Sequence, residues 1–359
     1  MTVTVLTPDR LGAADIAAWQ ALQHATPALA SPFLSPEFTR AVGRHRSTAR
    51  IAVLSDGSGP VGYFPYERHS LGLGLPIGSG LCDVQGLVHA PGLDWDAQAL
   101  LRACGLKVWR YDHLAAGQRP FDSGVVRRAA SPVIDLAPGY AAYAAGLRDR
   151  SPARMSQLEA KERRLTRRLG EPRLVFEETA PERLETLMRW KSAQYRAKEQ
   201  VDLFGKPSVV ALLRGLMRTR SDTCTGTLST LYAGERPVAM HFGLRSGRVL
   251  QYWFPAYDPE AARFSPGLLL LLRMARAAAA QGVQHLDLGK GDERYKQEMK
   301  TGDLPLGEGW VTLGTLPAAL RHAQTMTGQK ARALVAGRPG LRRIALRAVN
   351  TRRPPGPGA

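Results

Sequence analysis

The chain has 359 residues, 44% of them hydrophobic and 22% charged, which is enough apolar material for a sizeable core and excludes global disorder. Its formal net charge of +18, from 49 Lys+Arg against 31 Asp+Glu, favours anionic partners: a nucleotide cofactor, a nucleic acid or an anionic membrane surface. The cysteines Cys82, Cys104 and Cys224 are odd in number and form no C-x-x-C pair, which argues against a disulfide framework or a zinc knuckle and for a reducing compartment.

The length fits two domains. The opening Met1-Thr2-Val3-Thr4-Val5 lacks the basic-then-apolar layout of a signal peptide. The apolar run Leu268–Leu272 is far too short to span a bilayer. The expected location is the cytoplasm of a bacterial-type cell, with a peripheral place at the inner membrane as the alternative.

In chain order, Thr7-Pro8-Asp9-Arg10-Leu11 predicts the start of a helix carrying Trp19. Leu54 to Gly62, with a turn at Gly57 and Pro60 beyond it, predicts a hairpin. An Ala/Leu-rich stretch closing at Gly105 predicts a helix, followed by a strand over Leu106–Tyr111. The same signals return in the same order. Ala180-Pro181-Glu182-Arg183-Leu184 precedes a helix carrying Trp190, a hairpin turns at Gly234 before Pro237, and a helix closing at Gly282 precedes the strand Val283–Leu288. Gly57 and Gly234 are 177 residues apart, as are Gly105 and Gly282. Any one pair is chance; the shared order favours duplication. The expected fold class is α/β with mixed sheets: two tandem units over 1–140 and 173–318, a connector over 141–172 and a basic tail over 319–359.

The connector, Tyr140 to Gly170, holds Arg148, Arg150, Arg154, Lys161, Arg163, Arg164, Arg167 and Arg168 and reads as one basic helix. It is either a solvated link or one wall of an anion-binding groove. The tail carries nine Lys/Arg and no acid from Arg321 onward. Its end is expected to be disordered, and Gln329–Val349 to form a basic amphipathic helix for a membrane surface or an RNA such as tRNA, or merely to solubilise.

In the second unit, Val249–Phe254 predicts a strand and Leu268–Gln281 a helix. Between them, Arg263-Phe264-Ser265-Pro266-Gly267 supplies an N-cap serine, a first-turn proline and a small glycine. Such a helix start offers free N–H groups and the positive end of the dipole to a pyrophosphate, although most helix starts of this kind are only that.

The segments Pro237-Val238-Ala239-Met240-His241-Phe242-Gly243, Gln251-Tyr252-Trp253-Phe254-Pro255-Ala256-Tyr257-Asp258, Ser265-Pro266-Gly267 and Leu286-Asp287-Leu288-Gly289-Lys290-Gly291-Asp292-Glu293-Arg294-Tyr295-Lys296 together resemble the acetyltransferase domain of the CelD-like family. That family is associated with cellulose and exopolysaccharide biosynthesis. It belongs to the GNAT superfamily and is related to the Fem-type aminoacyl transferases, which also carry two GNAT units. In the first half, Ser31 to Phe38 and Asp83-Val84-Gln85-Gly86 resemble it more loosely, and Ala90-Pro91-Gly92 opens no leucine-rich helix, so the first unit is expected to be degenerate. The resemblance implies an N-acyltransferase that uses acetyl-CoA or another acyl-CoA, with no metal, on an amine of a small molecule, sugar or peptide. An aminoacyl-tRNA-dependent transferase and a non-catalytic accessory protein of polysaccharide synthesis are the alternatives.

For cofactor binding the resemblance points to Arg263, Phe264, Ser265, Gly267 and Lys296, although the usual Arg/Gln-x-x-Gly-x-Gly/Ala spacing is altered here. His241 is a candidate proton acceptor or a structural histidine. Asp287, an acid inside an apolar strand, must be paired or used. The resemblance implies that Tyr295, beyond the strand by a Gly-rich turn, protonates the CoA thiolate; simple packing is the alternative. Lys191, Gln194 and Tyr195 share one helix face, and the resemblance implies that they, with Asp83, Gln85, Tyr252 and Trp253, bind the substrate.

Overall fold

A computed structural model describes residues 1–314. The basic tail, including Gln329–Val349, lies outside the described residues.

The first unit runs β1 (Thr2–Leu6), α1 (Ala13–Ala25), α2 (Pro36–Gly43), β2 (Ala49–Asp56), β3 (Gly59–Arg68), β4 (Leu73–Pro76), β5 (Val88–His89), α3 (Ala97–Ala103), β6 (Val108–Leu114) and β7 (Val125–Asp135). Two helices follow, α4 (Tyr140–Arg150) and α5 (Pro152–Leu169). The second unit repeats the plan: β8 (Pro172–Val175), α6 (Pro181–Ala197), α7 (Pro207–Met217), β9 (Thr225–Ala233), β10 (Arg236–Arg245), β11 (Val249–Gln251), β12 (Phe254–Tyr257), α8 (Pro266–Ala280), β13 (His285–Asp287), α9 (Arg294–Met299) and β14 (Gly302–Thr312).

Local chemistry sets these bounds. Ser35 Oγ accepts from Phe38 N and Pro36 opens α2; Pro181 and Pro266 open α6 and α8. Pro8 instead leads a single 3-10 turn, and α1 starts only after Gly12. The hairpin glycine Gly234 has φ +56, and a Cβ there would lie 2.8 Å from the Leu169 carbonyl, so only glycine lets α5 end against the β9–β10 turn. The predicted single connector helix is two, because Pro152 cannot donate to the ladder of α4 and starts a new helix after Ser151. The predicted strand Val249–Phe254 is likewise broken, between β11 and β12.

One sheet runs through both units in the order β1-β2-β3-β4-β6-β14-β7-β13-β11-β10-β9-β8. The two units have exchanged their last strands. β14, from the end of the second unit, pairs with β6 of the first, and β7, from the end of the first, pairs with β13 of the second. β14 and β7 then pair with each other from Gly302–Val133 to Gly309–Val125. Three cores result: one around Phe64, Trp109 and Phe121, one around α8, and one between the units that joins Trp19, Phe33 and Phe38 to Leu213, Leu228 and Phe242.

Candidate functional site

The second unit contains a split in its sheet. β11 and β13 run parallel, with Val249 opposite His285 and Gln251 opposite Asp287. The last rung is Tyr252 N donating to Asp287 O at 2.8 Å. Beyond it the strands part: β12 pairs with β10 from Phe254 to Tyr257, while Leu288 N turns to Pro132 O of β7. Because Asp258 N bonds to Val238 O, antiparallel alternation turns Pro255 C=O and Tyr257 N–H away from β10 and into the split.

Three elements line the space around this split. From α6, Lys191 Nζ reaches Pro255 O at 2.9 Å and lies over the Tyr195 ring. Burial, reinforced by the like charges of Lys198 and Lys296, brings the Lys191 ammonium down to about 8. From the segment after β13, Lys296 is buried and donates to Gly289 O and Lys290 O, with Glu293 3.0 Å away. From the first unit comes Asp83, recessed but with 28% of its side chain exposed, 3.9 Å from His113 Nε2. Burial and the nearby Asp287 raise its carboxyl to about 6, against the pull of His113. Burial and Asp83 likewise raise the Tyr195 hydroxyl to about 12. The structure therefore brings together Asp83, Lys191, Tyr195 and Lys296, which are far apart in sequence.

Several sequence-predicted residues hold the site rather than face it. His241 is fully buried and its Nε2 accepts from Trp253 N at 3.1 Å, so Nδ1 carries the proton. Burial lowers it to about 3, which leaves it neutral and makes it a brace of the strand break, the structural one of the two alternatives its sequence position offered. Tyr252 is buried and stacks on the His241 ring at 4.6 Å, so its ring is structural. Trp253 donates Nε1 to Leu81 O at 3.0 Å and meets Phe33 edge-on, which locks the units together in place of contacting a substrate. Gln85 is 3% exposed and fully used: Oε1 accepts from Asp112 N and His113 N, and Nε2 donates to Asp112 Oδ1. It positions the Asp83 loop and offers nothing to a ligand. Replacing Gln85 by Leu strands two backbone donors and is expected to cost about 2 kcal/mol, read from the denaturant midpoint. Gln194 is half-buried with Nε2 sealed from solvent and unpaired among the described residues.

At the helix start, Ser265 is left-handed (φ 53), and its hydroxyl accepts from Lys161 Nζ at 2.7 Å instead of capping α8. Phe264 is buried under the turn and cannot meet a cofactor, whereas Arg263 is exposed above its ring. Pro266 has no N–H, so Gly267 supplies the first amide of the helix. Lys296, spent on the carbonyls of the 289–290 turn, is a loop clamp and not a phosphate ligand. Tyr295 is half-buried against the α8 core, and burial and Glu293 push its hydroxyl up. Asp287 is 1% exposed and accepts from Ser131 Oγ, from Gly289 N at 2.9 Å and from Gln251 Nε2 at 3.2 Å. Sequence reasoning missed His113, a histidine on a strand that carried no signal until the fold set it beside Asp83, and named Lys161 only as one of the cations of the basic connector, without its place beside Ser265.

Among the described residues there is no group of His, Cys, Asp and Glu suited to hold a metal, and no helix is long and apolar enough to cross a membrane. Residues 152–297 match the profile of the acetyltransferase (GNAT) domain family. No curated protein matches the sequence. Among solved structures, FemX is 9% identical, with 86% of this chain and 96% of FemX covered and a TM-score of 0.55. A conserved protein of unknown function from Bacteroides thetaiotaomicron is 10% identical, with 85% and 98% covered and a TM-score of 0.52. At such identity the likeness is one of fold alone. The chain thus has a mixed α/β fold of two similarly built units sharing one sheet, and its residues 152–297 match the acetyltransferase (GNAT) domain family.

Proposed function

We propose that the protein is an acyl-CoA-dependent N-acyltransferase whose reaction takes place at the β11–β13 split, with the acceptor amine held between the two units. The observation that carries this reading is the parting of the strands after the Gln251–Asp287 rung, within the acetyltransferase (GNAT) domain and directly before the α8 start. The residues there fit an acyl-CoA in part. Gly267 N–H, the positive end of α8, Lys161 and exposed Arg263 suit a pyrophosphate, and the split offers Tyr257 N–H to an amide-bearing arm. The bound thioester supplies the acyl group.

Asp83 takes the proton of the attacking amine: a carboxyl near pH 6 is charged at neutrality yet basic enough to accept. With an acyl-CoA bound, the C–S bond would break as the C–N bond forms, and the Tyr295 hydroxyl is the candidate donor of a proton to the leaving sulfur; burial and Glu293 make it a weaker acid than a free tyrosine, so the donation would have to be coupled to that bond breaking. Lys191, at about 8, stays a cation beside Pro255 O and keeps the limb of the split in place. A place in polysaccharide or cell-envelope synthesis rests on the CelD-like resemblance of the 286–296 string.

The test is thermal shift with CoA. CoA at 100 times its Kd is expected to stabilise the chain by about 2.7 kcal/mol, and Lys161→Ala to weaken its affinity about tenfold. No shift at any CoA concentration overturns the reading. An aminoacyl-tRNA donor is the second reading, favoured by the exposed Arg163, Arg164, Arg167 and Arg168 on one side of α5. In that case RNase abolishes activity and salt weakens it steeply.

A further inference from the structure

On the face of the sheet away from α8, the two units enclose a pit of about 310 Å³. Its mouth is apolar: Pro27, Ala28, Ala116, Leu304 and Pro305 are all exposed at the rim. Its inner end is polar, with Gln251, His285 and Asp287. Asp287 is 1% exposed and has only neutral donors: Ser131 Oγ and Gly289 N on Oδ1, and Gln251 Nε2 on Oδ2. Gln251 Nε2 is also 3.2 Å from Ser31 Oγ, so it is shared. A carboxylate has about four acceptor positions, so one on Oδ2 is open. Among the described residues Asp287 has no ion-pair partner. His285, kept neutral by burial, does not provide one. A buried carboxylate without a counter-charge is costly, and a cationic ligand removes that cost.

We infer that this pit binds an aliphatic ammonium, its hydrocarbon part against the rim and its charged head on Asp287 Oδ2. The inference rests on the acyl-transfer reading only in taking that ammonium as the acceptor. Asp83 then lies one residue away, because Gly289, whose N–H bonds to Asp287, also sits against Asp83 Oδ2. Amino sugars are excluded on chemical grounds: the rim side chains have no polar atoms to replace the water lost by ring hydroxyls.

The experiment is calorimetric titration of the full chain, without CoA, with n-hexylammonium chloride, n-hexanol and glucosamine. Saturable one-to-one binding of n-hexylammonium is expected, with hexanol about tenfold or more weaker and glucosamine silent. Ala116→Trp, at the exposed rim, closes the mouth and is expected to abolish binding in a protein that melts like the wild type. Asp287→Asn is expected to equalise hexylammonium and hexanol if it folds. Absence of hexylammonium binding, or binding unaffected by Ala116→Trp, overturns the inference. Binding without acyl transfer to hexylamine leaves the pit standing and counts against the transferase reading alone.

Discussion

Replacing Asp83 by Asn is expected to lower kcat/KM for acyl transfer by about 10²–10³-fold while raising stability at neutral pH. Both effects come from one cause. The ordinary Asp value is 3.8 and burial beside Asp287 raises it to about 6 in the folded chain. The folded state therefore holds this proton more tightly than the unfolded one. Stability is lost as pH rises from about 4 through 6 and stays lost above. Asn removes that cost, so a Tm gain of about 1–3 °C is expected at pH 7.5 and none at pH 4. The wild-type kcat/KM should rise through pH 6 as Asp83 deprotonates, and this limb should vanish in the variant. Full activity with an unchanged pH profile would remove Asp83 from the chemistry. A merely structural Asp83 would give a loss of stability instead of a gain.

Gly309→Ala is expected to destabilise the whole chain by about 3 kcal/mol or more and to do so in a single transition. Gly309 lies on β14 where a register shift lets it cross the start of β7, and a Cβ there would overlap the Gly124 carbonyl. The obstacle is backbone and cannot rotate away. β14 is hydrogen-bonded to β6 on one side and β7 on the other, and β7 carries the connection to β13. Strain at this crossing therefore reaches both units through the exchanged strands. Scanning calorimetry should show one melting event moved as a whole. Two events, with only one displaced, would mean that the units fold independently despite the exchange.

These two residues show where the sequence was legible. The repeat was readable because hairpin glycines and helix-opening prolines are local devices: Gly57, Gly234 and Pro181 act where they stand. A strand exchange is not local. β7 and β14 carry the same alternation whether they pair within their own unit or across, so nothing in their residues reveals the partner. The split at Tyr252–Trp253 was hidden for a similar reason. Both residues favour strands, and the break comes from His241 taking the Trp253 amide and Leu81 taking the indole N–H.

The sequence by itself determined the duplicated α/β plan, the helix start at Pro266 and the presence of an acid in an apolar strand at Asp287, since each depends on residues adjacent along the chain. It also placed Lys191 and Tyr195 on one helix face. Only the tertiary structure decided which polar residues are spent and which are available. Gln85 and Lys296 look like site residues in the sequence, yet their hydrogen bonds are consumed by the groups around them, and the Nε2 of His241 is taken by the Trp253 amide. Asp83 was a substrate-binding candidate through resemblance alone, and burial beside the other unit is what raises its carboxyl to about 6. A side chain's type is written in the sequence, but its solvation and partners are supplied by elements as far as 220 residues away.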